Sequence, residues 1–292
     1  MNKGAKFILS LDFELGWGAI ENGLWKTREK RGVYKKLRSV LPVFLSALDT
    51  FELPVTWAFV GAMLEGPDKR KLDHLPLDIK KLTTSFLQSA ENTTSDARDL
   101  FDQILSTKTK HALSSHTYSH VRFDYMGLDA SIIDTEMLAF DNVCKNYGVK
   151  TSSLVFPQNI EGFHKELKQL GYQSVRTAPE RNKPRSKIVH LIASVISPPP
   201  LSNTNKMDNG LFRYSGSMFY NTGARRIHRL PFVYKQALSG INHAIKNDGV
   251  IHIWVHPFNL AESPMLLPSL INVMKHVSKK REKGLIQVAT FS

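Results

Sequence analysis

The chain has 292 residues, 42% hydrophobic and 22% charged, which suits one large α/β domain or two small ones. Its single cysteine, Cys144, excludes an intramolecular disulfide framework and a cysteine-rich zinc ribbon. The formal net charge of +13 is spread over several basic segments that lack the aromatic and basic pattern of single-strand binders. We therefore expect no dedicated nucleic-acid binding.

An apolar run of only five residues, FILSL, precedes the first acidic residues. This run is shorter than the apolar region of a secretory signal peptide, and no window reaches the length that spans a bilayer. We therefore expect a cytoplasmic protein. Because a basic surface would suit anionic lipids, peripheral contact with the inner membrane face is a further expectation.

Short apolar segments alternate with helical segments along most of the chain. Apolar and β-branched runs predict strands at 6–14, 53–61, 110–116, 152–159, 172–176, 249–258 and 285–291. The spacing of apolar residues predicts helices at 32–50, 96–106, 129–147, 161–170, 233–247 and 264–280. This alternation predicts an α/β protein with a parallel sheet, either open or closed into a barrel.

Two segments interrupt the alternation. Residues 66–107 are polar and irregular outside the short helix predicted near their end. Residues 178–215 concentrate turn-forming residues in PERNKPRSK, SPPP and SNTNKMDNG, which predicts a surface excursion, such as a lid or binding loop, rather than a linker. We therefore interpret residues 1–292 as one domain with a loop-rich excursion at about 178–215.

Two acidic residues end the first predicted strand, before Gly16 and Gly18. Asp12 and Glu14 are two positions apart, so in a strand their side chains point to the same face. Parallel α/β proteins place their working residues at the carboxyl ends of strands. Polar strand ends are also commonly just solvated, and the pair alone leaves both interpretations open.

His116 and His120 follow the third predicted strand in the segment SSHTYSH. On a helical turn this spacing places both side chains on one face, within reach of one metal ion. A carboxylate would complete the ligand set and leave positions open for water and substrate. An incidental pair is the alternative, but the acidic pair on the first strand favours a metal site.

The late segment IHIWVHPF places His252, Trp254 and His256 on one face of a strand. Pro257 ends the hydrogen-bonding ladder, so His256 lies at the strand terminus and is the better candidate for chemistry. His252 lies one layer deeper, and we interpret it as a structural residue.

Together these motifs resemble those of the polysaccharide deacetylases of carbohydrate esterase family 4, in particular divergent members that occur with bacterial surface-polysaccharide biosynthesis genes. The resemblance rests on SLDFE, HTYSH, VFPQN and WVHPF, which follow in the expected order between about residues 5 and 260. It implies a distorted (β/α)-barrel of about seven parallel strands that binds one divalent metal ion. It also implies removal of an N-acetyl group from an amino sugar.

The resemblance assigns roles residue by residue. Asp12 matches the general base, His256 matches the general acid, and His116 and His120 match the two metal-binding histidines. The family's metal-binding aspartate usually follows the base directly; that place is taken by another residue, which leaves Glu14 as the third ligand. The family's Asp-Trp motif has no counterpart, so the partner of His256 is unassigned.

The third motif, VFPQN, contains Phe156 and Pro157 but not the family's arginine. Arg176, at the end of the next strand, could orient the base instead, as could Gln158 or Asn159 through hydrogen bonds. A backbone N–H near Phe156 could help to hold the oxyanion.

Three aromatic residues, Trp17, Trp254 and Tyr118, flank these groups in the sequence. They could form a stacking floor for a sugar ring, but aromatic residues near strand ends are as commonly part of the core.

The expected function is therefore a metal-dependent hydrolase that removes an N-acetyl group from an amino sugar of a surface polysaccharide or its precursor. Zinc is the expected ion, and cobalt, nickel, manganese and iron also suit such ligands. We expect the amino sugar to be attached to an anionic nucleotide or lipid carrier, and the oligomeric state is left open. The alternatives are a deformylase or another hydrolase of non-peptide C–N bonds, including cyclic amides, acting on a lipid-linked aminosugar, and a catalytically inactive glycan-binding barrel.

Overall fold

The structure is a computed structural model that describes residues 4–178, 198–222 and 229–291. Strand β1 (Lys6–Phe13) lies at the centre of one sheet and is paired in parallel on both sides. Strand β9 (Val250–Val255) lies along one side of it. On the other side, β10 (Gln287–Ala289) pairs with its first half and β2 (Thr56–Phe59) with its second half.

From β2 the sheet continues through β3 (Ala112–Ser115), β4 (Ser153–Val155) and β5 (Ser174–Thr177), all in parallel. Strand β7 (Phe212–Ser215) pairs in parallel with β5, and β6 (Thr204–Lys206) pairs with β7 in antiparallel orientation. The carboxyl ends of β1 to β5 therefore meet at one edge of the sheet.

One segment of the chain closes this sheet into a barrel. After β7 has paired with β5, the chain continues into β8 (Met218–Phe219), which pairs in parallel with β9. Between these pairings, the Gly216 N–H donates to the carbonyl of Thr177 and the Ser217 N–H donates to the carbonyl of His252. The predicted distorted (β/α)-barrel of about seven strands is confirmed, with β7 and β8 together occupying one strand position.

Helices pack around the sheet between successive strands. They are α1 (Leu24–Lys30), α2 (Val33–Thr50), α3 (Leu77–Ser89), α4 (Asn92–Ser95), α5 (Arg98–Leu105), α6 (Ala130–Asn146), α7 (His164–Gln169), α8 (Leu230–Lys246), α9 (Pro257–Glu262) and α10 (Leu266–Glu282). Within the described ranges, none of them combines the length and the hydrophobicity needed to cross a bilayer.

The side chains of β1 alternate between two environments, as a strand requires. One set belongs to the large hydrophobic core shared with the helices: Phe7, Leu9, Leu11 and Phe13. The other set faces the barrel interior, where Ile8 packs in a small cluster with Phe291 and the polar Ser10 and Asp12 lie further along the strand. The strand therefore carries its polar residues toward its carboxyl end, on the inside of the barrel.

The segment 66–107, predicted to be irregular outside one helix, contains α3 and α4 in addition to the predicted α5. Helix α3 buries only Ile79, Thr83 and Phe86, so its apolar face is too narrow to stand out in the sequence. The strand predicted at 152–159 ends earlier, at Val155, because Pro157 begins a short 3-10 turn and cannot donate to a ladder.

The predicted loop-rich excursion at 178–215 is a different structure where the chain is described. Residues 179–197 lie outside the described residues, but the later part contains β6 and β7. The turn-forming residues of this part connect the two strands as a hairpin, in which Gly210 has a positive φ of 86° and its N–H donates to the carbonyl of Met207. In this later part the turn residues therefore indicate a tight turn between strands, whereas PERNKPRSK lies outside the described residues.

Candidate active site

Asp12 and Arg176 form a buried ion pair at the carboxyl end of β1. Both Nη atoms of Arg176 contact the carboxylate, with Nη2 donating to Oδ2 at 2.6 Å, and only 3% of Asp12 and 1% of Arg176 are exposed. The same guanidinium donates to the Ser10 hydroxyl and to the Asn159 side-chain oxygen. The arginine expected from the sequence to orient this carboxylate is therefore in contact with it.

Burial by itself would raise the pKa of Asp12, but the charge and hydrogen bonds of Arg176 outweigh burial and hold this pKa below its usual value. Asp12 is therefore an ionised carboxylate at neutral pH. An ionised carboxylate that faces a cavity is equipped to accept a proton.

Glu14, His116 and His120 bring three potential ligand atoms together beside Asp12. One ligand atom from each residue lies within 4.8 Å of the other two, and all three side chains are buried. The Oε2 atom of Glu14 is 3.3 Å from Nε2 of His116 and 3.0 Å from Nε2 of His120. Two imidazoles and one carboxylate form a ligand set typical of zinc and related ions.

The hydrogen-bonding pattern of the histidines tests whether these residues fit a metal ion. Nδ1 of His116 donates to the carbonyl of Val155 at 2.7 Å, so the neutral ring carries its lone pair on Nε2, which faces Glu14. Nε2 of His120 is buried and forms no hydrogen bond, although Glu14 is near. Lone pairs directed at a carboxylate repel it unless a cation lies between them, so the residues fit a divalent metal ion.

Glu14 is ionised in this setting. Burial alone would raise its pKa, but the charge of His256 and the adjacent imidazoles of His116 and His120 hold the pKa well below the usual value. Burial lowers the pKa of His120 and favours its neutral, metal-binding form.

The turn that carries the two histidines is not helical, contrary to the expectation from their spacing. Thr117 and His120 both have positive φ angles, 61° and 63°, so the chain bends sharply between the two ligands. The buried carboxylate of Glu136 holds this bend, because its Oε2 accepts hydrogen bonds from the backbone N–H groups of Tyr118 at 3.0 Å and Ser119 at 2.9 Å.

His256 lies at the end of β9, as predicted, and faces the same site. Its Nε2 is 3.4 Å from Oε1 of Glu14, and its side chain is 22% exposed, more than those of the other site histidines. Its Nδ1 lies 3.3 Å from the side-chain oxygen of the buried Asn259. Asn259 thus occupies the place of the partner that the sequence left unassigned.

These groups line the floor of one cavity of about 280 Å³. Asp12, Glu14, His116 and His256 line it together with a ring of amide, aromatic and basic side chains: Asn22, Arg28, Gln158, Asn159, Phe219, Asn221, Phe258 and Asn259. A cavity of this kind, with a few convergent polar groups, is typical of a small-molecule site.

The three aromatic residues predicted to form a stacking floor do not line this cavity. Trp17 is buried and its Nε1 donates to the carbonyl of Ser95, while the Tyr118 hydroxyl is bonded to Glu65. Trp254 lies under the guanidinium of Arg176, 5.4 Å from its ring centroid.

The aromatic surface of the cavity comes instead from Phe219 and Phe258, whose rings contact that of His256. Phe156 and Pro157 are buried beside the site without lining the cavity, and Gln158 lines it.

His252 lies deeper in the barrel, as predicted. It is fully buried, and its Nε2 is 2.9 Å from the Ser10 hydroxyl. Burial, together with the charge of Arg176, lowers the pKa of His252 to about 3, so this residue is neutral and supports the floor of the site.

Some residues of the site carried no clear signal in the sequence. Asn259 follows His256 by three positions in HPFN, a spacing that a helix beginning at Pro257 brings into contact. Arg28 and Glu136 lie outside the motifs, on helices that follow them, and only the fold brings them to the site.

Comparison with solved structures identifies proteins that share this fold. No family model matches the sequence, and no curated protein is significantly similar to it. Among solved structures, one assigned as a polysaccharide deacetylase from Mycobacterium smegmatis has a TM-score of 0.57 at 13% identity and covers 100% of this chain and 96% of its own. Another, from Pseudomonas aeruginosa PAO1, has a TM-score of 0.56 at 9% identity, with coverages of 98% and 87%.

A GH57-type branching enzyme from Pyrococcus horikoshii is equally similar, with a TM-score of 0.57 at 12% identity over 99% of this chain and 69% of its own. The fold is therefore shared by more than one type of enzyme. The resemblance to the polysaccharide deacetylases that the motifs predict is confirmed at the level of the fold, and the chain has the polysaccharide-deacetylase fold.

Proposed function

We propose that this protein is a metal-dependent hydrolase that removes an N-acetyl group from an amino sugar of a surface polysaccharide or its precursor. One observation carries the proposal. A paired carboxylate (Asp12) and a histidine (His256) line the floor of one cavity with Glu14 and His116, and the buried His120 completes a three-residue metal ligand set with Glu14 and His116.

Asp12 is the base in this proposal. Its low pKa keeps it ionised, and the two hydrogen bonds from Arg176 fix the direction of its carboxylate. It takes a proton from the water that attacks the acyl carbon. Arg176 is a positioning residue, because it acts through Asp12.

Glu14, His116 and His120 would hold the metal ion, with zinc as the expected ion and cobalt, nickel, manganese or iron as alternatives. When bound, such an ion polarises the acyl carbonyl and makes a water molecule more acidic. Val155 contributes by fixing the His116 tautomer, since its carbonyl accepts the Nδ1 proton.

His256 is the acid in this proposal. Its Nδ1–H donates to Asn259, which directs Nε2 toward the cavity, and the imidazolium form carries on Nε2 the proton that it gives to the leaving nitrogen. Amide cleavage needs this proton, because an amine leaves as a neutral group only when its nitrogen is protonated. The C–N bond then breaks to give the free amine and acetate, whose oxygens come from the carbonyl and the water.

The same site argues against glycosidic-bond cleavage, which the similarity to a branching enzyme raises as an alternative. That chemistry uses two carboxyl groups, of which one must carry a proton to the leaving oxygen. In the described part of the cavity the carboxyl groups are those of Asp12 and Glu14, and both have lowered pKa values. Neither is suited to donate a proton at neutral pH.

A deformylase, or another C–N hydrolase on a lipid-linked aminosugar, would use the same groups, and the acyl group alone distinguishes it. A glycan-binding barrel without activity would retain the cavity but not need the metal.

We further propose that the chain acts as one domain in the cytoplasm, on an aminosugar attached to an anionic carrier.

The experiment is metal analysis coupled to an acyl-release assay. Wild type, His116→Ala and the control His276→Ala, which changes a histidine outside the cavity, are purified without chelator. We expect about one equivalent of a transition metal in wild type and the control and a loss in His116→Ala. Acetate and formate release is then measured on N-acetylated and N-formylated aminosugars. A wild type that stays empty after incubation with zinc or cobalt overturns the proposal.

A further inference from the structure

Arg28 is a cation on the wall of the cavity that the proposed chemistry does not use. It lies on α1 and lines the same cavity as Asp12 and His256. Its guanidinium stacks on the ring of Phe258, with 4.4 Å between the guanidinium carbon and the ring centroid. Stacking of this kind fixes the plane of the guanidinium and leaves its N–H edge free to donate hydrogen bonds to a ligand.

The stack connects Arg28 with the reacting groups. The Phe258 ring lies 5.1 Å from the ring of His256, nearly parallel to it at 23°, and His256 contacts Glu14. Arg28 is therefore two ring contacts from the proposed acid. A group bound by Arg28 would lie beside the reacting bond rather than on it.

The charge of Arg28 is not compensated by an ion pair among the residues that the structure describes. No carboxylate of the described residues lies within ion-pair distance of it, whereas its neighbour Arg31 pairs with Glu262. The two acidic residues that line the cavity already have partners: Asp12 pairs with Arg176, and Glu14 contacts the histidines.

The Tyr34 hydroxyl is a polar neighbour of Arg28, but burial raises its pKa, so it stays neutral and does not balance the charge. A half-buried arginine without an acidic partner favours an anionic ligand.

Asn22 adds a second donor at the same wall. Its Oδ1 accepts a hydrogen bond from the Leu24 N–H, which places the amide N–H₂ group on the other side of the side chain. This N–H₂ group has no partner among the described residues, and Asn22 lines the cavity with Arg28. The wall thus offers the fork of a guanidinium and an amide donor.

We propose that Arg28 and Asn22 bind a phosphate ester carried by the aminosugar substrate. This inference rests on the proposed function and identifies the substrate class, an aminosugar joined through phosphate to a nucleotide or a lipid. A phosphodiester or diphosphate suits the wall better than a carboxylate, because an ester oxygen or an oxygen of the second phosphate can accept from Asn22 while two non-bridging oxygens accept from the guanidinium. The net charge of +13 favours the approach of such an anion.

The test measures binding rather than turnover. Wild type, Arg28→Gln, Arg28→Lys and the control Lys30→Gln, which removes a charge from the same helix, are titrated in the metal-loaded form by calorimetry. The probes are inorganic phosphate, uridine diphosphate and farnesyl phosphate. We expect Arg28→Gln to lose on the order of tenfold or more in affinity, Arg28→Lys to lose less, and Lys30→Gln to match wild type.

The preferred probe identifies the source of the phosphate, since tighter binding of uridine diphosphate indicates a nucleotide and tighter binding of farnesyl phosphate a lipid. Equal losses in Arg28→Gln and Lys30→Gln would overturn the inference, as would a wild type that binds none of the three. So would an Arg28→Gln variant that loses thermal stability but no affinity, because Arg28 would then only clamp α1 to Phe258.

Because this assay requires no acyl release, its outcome is separate from that of the proposed function. Phosphate binding through Arg28 without release of acetate or formate retains the phosphate site and rejects the hydrolase. Acyl release without Arg28-dependent phosphate binding does the opposite.

Discussion

A Cβ atom at Gly18 would lie 2.1 Å from both Cδ and Oε1 of Glu14. The missing side chain at Gly18 is therefore the space that the Glu14 carboxylate occupies when it faces His116 and His120. Any residue with a Cβ atom at this position would displace the proposed ligand, so the site requires glycine.

We expect Gly18→Ala to weaken metal binding by at least roughly 10- to 100-fold. Changes to residues that only orient a metal ligand cause losses of this size, and this change displaces the ligand itself. The control is Gly4→Ala, where the nearest atom to the new Cβ lies 3.9 Å away and nothing must move. Competition with a chelator gives both dissociation constants. Unchanged metal affinity in Gly18→Ala would show that Glu14 is not a ligand.

Arg176→Gln should move the acid limb of the kcat/KM profile to higher pH. In wild type Arg176 outweighs burial and holds the pKa of Asp12 low; without this charge, burial raises the pKa. The base works ionised, so more of the enzyme becomes inactive as pH falls through the raised value. Arg176→Lys keeps the charge without the two parallel hydrogen bonds, and we expect a smaller shift.

Arg176→Gln should also reduce the free energy of unfolding by about 3–5 kcal/mol, because it leaves the buried Asp12 carboxylate unpaired. Arg31→Gln, which breaks the more exposed pair with Glu262, should cost within about 1 kcal/mol and leave the pH profile in place. An acid limb that stays in place in Arg176→Gln would mean that Asp12 is not the base.

Asn259 sets the direction of His256, so its replacements should affect the proposed acid. In Asn259→Asp a carboxylate would stand beside Nδ1 and favour the protonated imidazole, and the basic limb of the rate profile should move to higher pH. Asn259→Ala should lower kcat on the order of 10- to 100-fold, because the ring loses its orientation.

The control for this pair is Asn247→Ala, which removes a similar contact between an asparagine and His243 on the outside of α8. It should leave both kcat and the pH profile unchanged. A basic limb unmoved by Asn259→Asp would remove His256 from the role of acid.

Glu136 should control metal affinity without contacting the metal. Glu136→Ala leaves the backbone N–H groups of Tyr118 and Ser119 buried without an acceptor, at a cost of about 1–3 kcal/mol each, and releases the turn between the two histidines. We expect the metal dissociation constant to rise roughly 10- to 100-fold.

In Glu136→Gln the side-chain oxygen can still accept from both N–H groups, so most of the affinity should be retained. Asp134→Ala, on the same helix, serves as the control and should bind metal like wild type. If Glu136→Ala loses thermal stability but binds metal normally, Glu136 supports only the fold.

The sequence was most informative where side chains alternate along a buried strand. Period-two alternation and the proline after β9 predicted that Asp12 on β1 and Glu14 just after it converge, and likewise His252 on β9 and His256 just after it. Arg176 was one of three candidates to orient Asp12, in place of the arginine missing from the third motif, and its position at the end of a strand brings it to the same edge of the sheet.

Residues whose role depends on tertiary packing could not be predicted in this way. Arg28 lies on a short helix that carried no strong pattern, and its partner Phe258 is more than two hundred positions away along the chain. The predicted aromatic floor was wrong in its members because side chains near strand ends face either the core or the cavity, and Trp17 and Tyr118 bond to groups away from the cavity.

The pairing of β1 has a consequence for how the chain acquires its structure. Lys6 pairs with Val250 on one side and Gln287 on the other, so both edges at the start of the first strand are paired only after residues from the far end of the described chain have been added. Closing so long a loop is entropically costly, and proteins dominated by such distant pairings fold slowly. During synthesis, the exposed edge of β1 would be a template for wrong pairing, so early chaperone binding should favour this segment.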